Sequence, residues 1–164
     1  VSGDSFQITA KRFIFYKENK KMLNEIQNIN DIPSDIDLLN ELIKTELLVQ
    51  YAKDEGLKVS DEEITDAIEF ERKVLQDPNL TGEENEIVKE IMKNRIEMTG
   101  LSEKEFWNSK EIREQYGKHI LIGKLYSHLL TKGEIEDIQD FQKFQDKLLE
   151  ARSDSYTVDM SNIP

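Results

Sequence analysis

Two histidines and no cysteine supply all the imidazole and thiol of this 164-residue chain, so the chemistry open to it narrows before any fold is considered. Without cysteine there is no thiol catalysis, no disulfide exchange, no cysteine-ligated zinc and no iron–sulfur cluster. His119 and His128 stand nine residues apart on one expected helix, which sets them about 180° apart around its axis. They cannot share a metal or a proton there. Neither has an Asp or Glu at i±3 or i±4 with which to form a ligand pair along the helix, and packed or partly exposed helix histidines are the expectation.

The loop Asp77-Pro78-Asn79-Leu80-Thr81-Gly82 places Asp, Asn, Thr and Gly at the first, third, fifth and sixth positions of a calcium-binding loop. The twelfth position, which must be a bidentate Glu, falls on Val88, and the normally apolar eighth on Glu84. The segment therefore reads as an ordinary helix–helix connection. No GxxxxGK[ST], GxGxxG, GxSxG or HExxH run occurs, which removes the readable signatures of phosphate cradles, nucleophile elbows and zinc peptidases. Acidic neighbours such as Glu83-Glu84 and Asp61-Glu62-Glu63 are expected among 34 Asp and Glu, and they stand at helix starts, where the dipole favours them. No catalytic residue, cofactor or metal site is expected. Aromatic residues raise a different question. Phe13 and Ile14 fall off the main stripe of the first helix, and Phe106 and Trp107 lie in a segment too short to bury both easily. Exposed apolar groups of this kind form binding patches; the alternative is that they fill the core from an irregular element.

The charge balance, 22 Lys and Arg against 34 Asp and Glu, gives −12. Such a chain repels phosphate backbones and anionic lipid surfaces, so neither nucleic acid nor nucleotide is an expected partner. Its length suits one domain over residues 1–164 that buries roughly 68–70% of its unfolded surface without disulfide or metal staples. No apolar run approaches the roughly 18 residues that cross a bilayer, and the chain reads as soluble. The opening at Val1, without an initiator Met, suggests a mature or trimmed form.

Helices must position whatever site there is. Thr9 can cap a helix to about Ile29, with Phe15, Tyr16, Met22, Leu23 and Ile26 on one side. After Asp31-Ile32-Pro33-Ser34, a helix from about Asp35 to Glu55 carries apolar residues all round its cylinder, the mark of a buried central helix. Gly56 suits a left-handed C-terminal cap. Ser60-Asp61-Glu62-Glu63 and Ser102-Glu103-Lys104-Glu105 are capping boxes, the first opening a helix that runs to Asp77. Further helices are expected over about 83–98, 110–131 and 134–152. Residues 156–160 alternate apolar and polar with a strand period, and the only other extended candidate is residues 1–8. The two ends are therefore expected to pair as a small β-ribbon beside a mainly α body.

The segment LLNELIKTELLVQYAKDEGLKVSDEEI, Leu38 to Ile64, resembles the N-terminal domain of SurA-like and PrsA-type extracytoplasmic chaperones and foldases. The match runs through Leu42-Ile43, Leu47-Leu48, Ala52, Gly56, Leu57, Val59 and Ser60-Asp61-Glu62-Glu63-Ile64. Val1-Ser2-Gly3 with Ile8-Thr9 and Phe13 resembles the family's opening, though Ser2 replaces the usual Asn and the spacing from Gly3 to Ile8 is a residue or two long. The resemblance is residue by residue over roughly 1–70 and architectural beyond. It implies a mainly α domain whose last strand returns to the first. It also implies binding of unfolded or partly folded secreted polypeptide without nucleotide, outside the cytoplasm at the cell surface or in the periplasm, with a lipid tether before Val1 as one arrangement. Many members carry a parvulin-type isomerase domain of about ninety residues, for which this chain has neither room nor pattern, so a non-enzymatic chaperone-like domain is expected. Phe13, Phe106, Trp107 and Tyr126 are the candidate peptide contacts. The rival reading is an interaction or regulatory module that keeps the fold and binds one folded partner.

Overall fold

The computed structural model describes residues 1–3, 6–30, 33–79 and 82–158, without the side chains of residues 83 and 84. Its elements, in order, are β1 (Ser2–Gly3), α1 (Ala10–Ile26), α2 (Asp35–Asp54), α3 (Asp61–Gln76), α4 (Glu83–Thr99), α5 (Glu103–Asn108), α6 (Lys110–Lys132), α7 (Ile138–Ala151), a 3-10 turn (Ser153–Ser155) and β2 (Tyr156–Thr157). The expected mainly α fold with a ribbon joining the chain ends is what the chain adopts.

Side chains start nearly every helix by satisfying its first unpaired amides. Ser60 with Glu63 and Ser102 with Glu105 form the two capping boxes read from the sequence. Ser34 forms a third with Asp37, while Thr9 and Ser109 accept from the amides of Arg12 and Ile112. Asp137 accepts from the amides of Gln139 and Asp140, so α7 starts at Ile138 and not at the expected Glu134. Ile135 ahead of it is nonetheless buried. The first helix stops at Ile26, short of Ile29, because Asn28 turns left-handed at φ 54° and lets the Ile29 amide reach back to the Asn24 carbonyl at 2.8 Å. Gly56 takes φ 78° after α2 as expected, a conformation in which a side chain would clash with the backbone.

The chain gathers into two compact units. The first holds Val1–Lys17, Pro33–Lys58 and Lys118–Pro164; the second holds Glu18–Ile32 and Val59–Gly117. In the first, α2 is the centre: Leu38, Leu39, Leu42, Ile43, Leu47, Leu48, Val49 and Ala52 are all buried, which its all-round apolar sequence requires. They pack with Ile8 and Phe13. Helix α7 lies against α2, where Lys44 bonds Asp146 and Tyr51 meets Phe144 edge-on, ring centroids 5.1 Å apart.

One charged side chain is buried among these residues. Glu46, 6% exposed, receives Arg12 of α1 and Lys118 of α6, each at 2.5 Å. A carboxylate so far from water is tolerable only with its charge and lone pairs answered. Nearby, the Tyr16 hydroxyl donates to Glu41 at 2.5 Å; burial and then this carboxylate push the phenol well above its usual range.

At the chain ends, Ser2 pairs with Thr157 and Gly3 with Tyr156 in antiparallel register. The opening is not one strand, however: Val1 and Ile8 exchange backbone hydrogen bonds at 2.8–2.9 Å, which sets residues 6–8 beside residues 1–3. A Cβ on Gly3 would lie 2.8 Å from the Phe6 ring, which itself packs on Tyr156. Residues 159 and 160 of the expected ribbon lie outside the described residues.

The second unit is built on Ile68 of α3, Met92 of α4, Phe106 and Trp107 of α5 and Ile112 of α6. Tyr116 donates its hydroxyl to Glu71 and, like Tyr16, is pushed up by burial and then by its carboxylate partner. Gly117 lets α6 approach α3: a Cβ there would meet Ile64 Cδ1 at 3.2 Å.

Candidate functional site

Three of the four expected peptide contacts are core. Phe13 is 1% exposed beneath α2, and Phe106 and Trp107 are 1% and 2% exposed. The latter two meet edge-on at 5.1 Å. Their segment was expected to be too short to bury both, but α5 is wedged among α3, α4 and the first turn of α6, so consecutive residues on a six-residue helix both find cover. Tyr126 is half-buried and edge-on to Phe141 at 5.2 Å. As placed, Phe13, Phe106 and Trp107 have no surface to offer a client. Phe13 and Tyr126 belong to the first unit, Phe106 and Trp107 to the second. The aromatic residue that does reach solvent is Phe70 of α3, 70% exposed. It lies about 100° from the centre of the stripe of Ile64, Ala67, Ile68, Val74 and Leu75.

A concave surface lies elsewhere, on α6. Leu121, Leu125 and Leu129, one row at i+4 spacing, are buried. Turning around the same helix brings two further rows to the outside, Ile120-Lys124-His128 and Gly123-Ser127-Thr131. With Leu57 from the segment after α2 they line an open groove of about 530 Å³. Gly123 leaves its floor clear, for a Cβ built there meets nothing within 4 Å. Ser127 and Thr131 donate their hydroxyls to the carbonyls of Gly123 and Ser127, an arrangement that occupies these donors within the helix itself. At the groove's edge Lys124 Nζ reaches the Lys58 carbonyl at 2.8 Å and ties the segment after α2 to α6.

At the other end, His128 Nε2 lies 3.1 Å from Glu55 Oε2, and Lys132 Nζ lies 2.7 Å from the same oxygen and 3.4 Å from Glu134 Oε1. The Glu55 carboxyl is held below its usual range, first by Lys132 and then by His128. Helical spacing offers this histidine no carboxylate because its partner is 73 residues away. Among the described residues no group of three His, Cys, Asp or Glu is placed to hold a metal ion. In the loop after α3, Asp77 accepts from the backbone and side-chain nitrogens of Asn79, while Leu80 and Thr81 lie outside the described residues. No helix among the described residues is long and apolar enough to cross a membrane. What the groove offers is an apolar floor edged by a lysine and a histidine.

No curated protein and no solved structure matches the chain. A family model does, over residues 17–118, from the second turn of α1 through the first turns of α6. That span includes the α2–α3 segment on which the sequence resemblance rests, extends it through α4 and α5, and leaves out the opening Val1–Thr9. Because it takes in more than half of the residues, the chain belongs to the SurA-like N-terminal domain family.

Proposed function

We propose that this domain is a non-enzymatic, chaperone-like holder of unfolded or partly folded polypeptides outside the cytoplasm, and that the α6 groove is its contact surface. The observation that carries the reading is a groove open along one helix of a SurA-like N-terminal domain. Leu57 and Ile120 offer non-directional apolar contact, and Gly123 allows a client backbone to come close. An open site that encloses little of its ligand binds many sequences weakly, as a holder must. The family, whose domains are typically periplasmic or otherwise extracytoplasmic, supports this location.

The test is suppression of light scattering by a denatured client as the domain is added. Wild type is expected to suppress it, and Ile120→Asp, at the half-buried groove wall, to weaken suppression while the helical circular dichroism is retained. No effect at large molar excess, together with saturable binding of a single folded protein, would replace the holder with a one-partner interaction module. Prolyl isomerisation of a test peptide should proceed at its uncatalysed rate, and acceleration by the pure domain would overturn the non-enzymatic part.

A further inference from the structure

Helix α3 carries apolar surface on a side that the core does not use. Ala67 and Val74, at the border of its buried stripe, are half-buried, and Phe70 stands one turn from each, three residues after the first and four before the second. Apolar surface therefore runs from the edge of the core out to a ring that is 70% exposed. On the other side of Phe70 lies the row Glu62-Asp66-Glu69-Lys73, at i, i+4, i+7 and i+11, all exposed. Among the described residues, Glu62, Asp66 and Glu69 take part in no hydrogen bond or ion pair, whereas Glu55 and Asp140 are engaged by Lys132 and Lys143. The row thus sets three unengaged carboxylates against one ammonium beside an exposed aromatic ring.

We propose that this face of α3 docks polypeptide segments that set Lys or Arg beside apolar side chains. It belongs to the second unit and the α6 groove to the first, and the two share no residue. The segment's apolar side chains cover Phe70 and the borders of Ala67 and Val74. Its cations meet Glu62, Asp66 and Glu69, or rest on the Phe70 ring, whose face attracts an ammonium or guanidinium. Side chains one turn apart on a helix stand about 5–6 Å from one another, inside the screening length of about 8 Å at physiological ionic strength, so the apolar anchor and the charges act on one bound segment together. The same charges turn other occupants away. A second copy seated face to face would set one acidic row against another, and a segment bearing Asp or Glu would meet like charge beside its anchor.

Fluorescence anisotropy with three labelled unstructured peptides tests this at about 0.15 M salt, where that screening holds. The peptides share one apolar core and are flanked by Lys, Gln or Glu. The Lys-flanked peptide should bind about fivefold or more tightly than the Glu-flanked one, the preference that one well-placed surface ion pair provides, and the difference should shrink as salt is raised to about 0.5 M. Phe70→Ala, which removes an exposed ring, should weaken the Lys-flanked peptide about tenfold, whereas Ile120→Asp in the α6 groove should leave it bound. Asp66→Lys with Glu69→Lys should invert the order; Asp66→Asn with Glu69→Gln, which should bring the peptides close to equality, serves if circular dichroism shows the first pair to be unfolded. Equal binding of the three peptides by wild type, an order unaffected by the charge variants, or full affinity in Phe70→Ala overturns the docking. Binding of the Lys-flanked peptide that is lost in Ile120→Asp but kept in Phe70→Ala overturns it too, while supporting the groove as the holder's surface. Failure of every peptide to bind also overturns it, and suppression of aggregation then decides the holder reading separately. A dimer in sedimentation that Phe70→Ala dissolves would make a second copy the occupant instead and overturn the choice of a basic segment.

Discussion

Glu46→Gln separates the buried charge from the buried shape. The substitution keeps the side chain's size and one oxygen acceptor but removes the negative charge that meets Arg12 and Lys118 at 2.5 Å. Hydrogen bonds to charged groups contribute about 1.5–3 kcal/mol each, and breaking a fully buried pair costs about 3–5 kcal/mol because the abandoned charge stays dry. Here the abandoned cations are not dry: Arg12 and Lys118 are 29% and 27% exposed against 6% for Glu46, so both can turn partly to water. The expected loss is therefore about 2–3 kcal/mol, below the fully buried case. It should lower the midpoint of thermal unfolding by roughly 5–10 °C for a chain of this size. Urea unfolding followed by far-ultraviolet circular dichroism measures it, with Arg12→Met as a companion that should cost less, since Lys118 still answers the carboxylate. A loss below about 0.5 kcal/mol, the range of an ordinary surface change, would refute the view that this triad holds α1, α2 and α6 of the first unit together.

Phe106→Ala and Trp107→Ala should each cost about 3–5 kcal/mol, as truncated buried aromatics do, whereas Phe70→Ala should change stability by no more than about 0.5 kcal/mol; chemical denaturation of the three variants ranks them. Gly123→Ala should stabilise by up to about 1 kcal/mol, because a helical glycine gains a side chain in open space. Gly117→Ala should fall short of that or destabilise, its Cβ pressing on Ile64 at 3.2 Å. Acid should weaken the fold through Glu55, Glu105 and Asp140, held below their ordinary 4.5, 4.5 and 3.8 first by Lys132, Ser102 and Lys143 respectively. The unfolded chain takes up their protons first, so this stabilisation is complete above about pH 5 and is lost as pH falls through the folded values; melting temperature against pH, flattened in Glu55→Gln, reads it. Tyr16 and Tyr116 act in the opposite sense: the folded state keeps phenol protons that the unfolded chain releases near 10. Stability should decline above that pH, with tyrosinate absorbance appearing late and then together with unfolding.

Local rules made much of the fold legible. Ser60 and Ser102 with a Glu three residues on are complete start signals because donor and acceptor lie within one turn. Leu38 to Ala52, apolar on every side, needs no partner named in order to be recognised as the centre. Gly56 marks its own stop. Other features depend on which surfaces meet, and for these helical spacing holds no information. Phe106 and Trp107 looked too crowded on their short helix, yet three helices close over both. Glu46 looks like any helix-surface glutamate until Arg12, 34 positions before it, and Lys118, 72 after it, converge on its carboxylate. Glu55 becomes the partner of His128 only across the packed ends of α2 and α6. Tertiary structure also decided the groove, because burial of the Leu121-Leu125-Leu129 row turned the Gly123-Ser127-Thr131 row outward and left the lysine and histidine beside it at the edge of an open apolar floor.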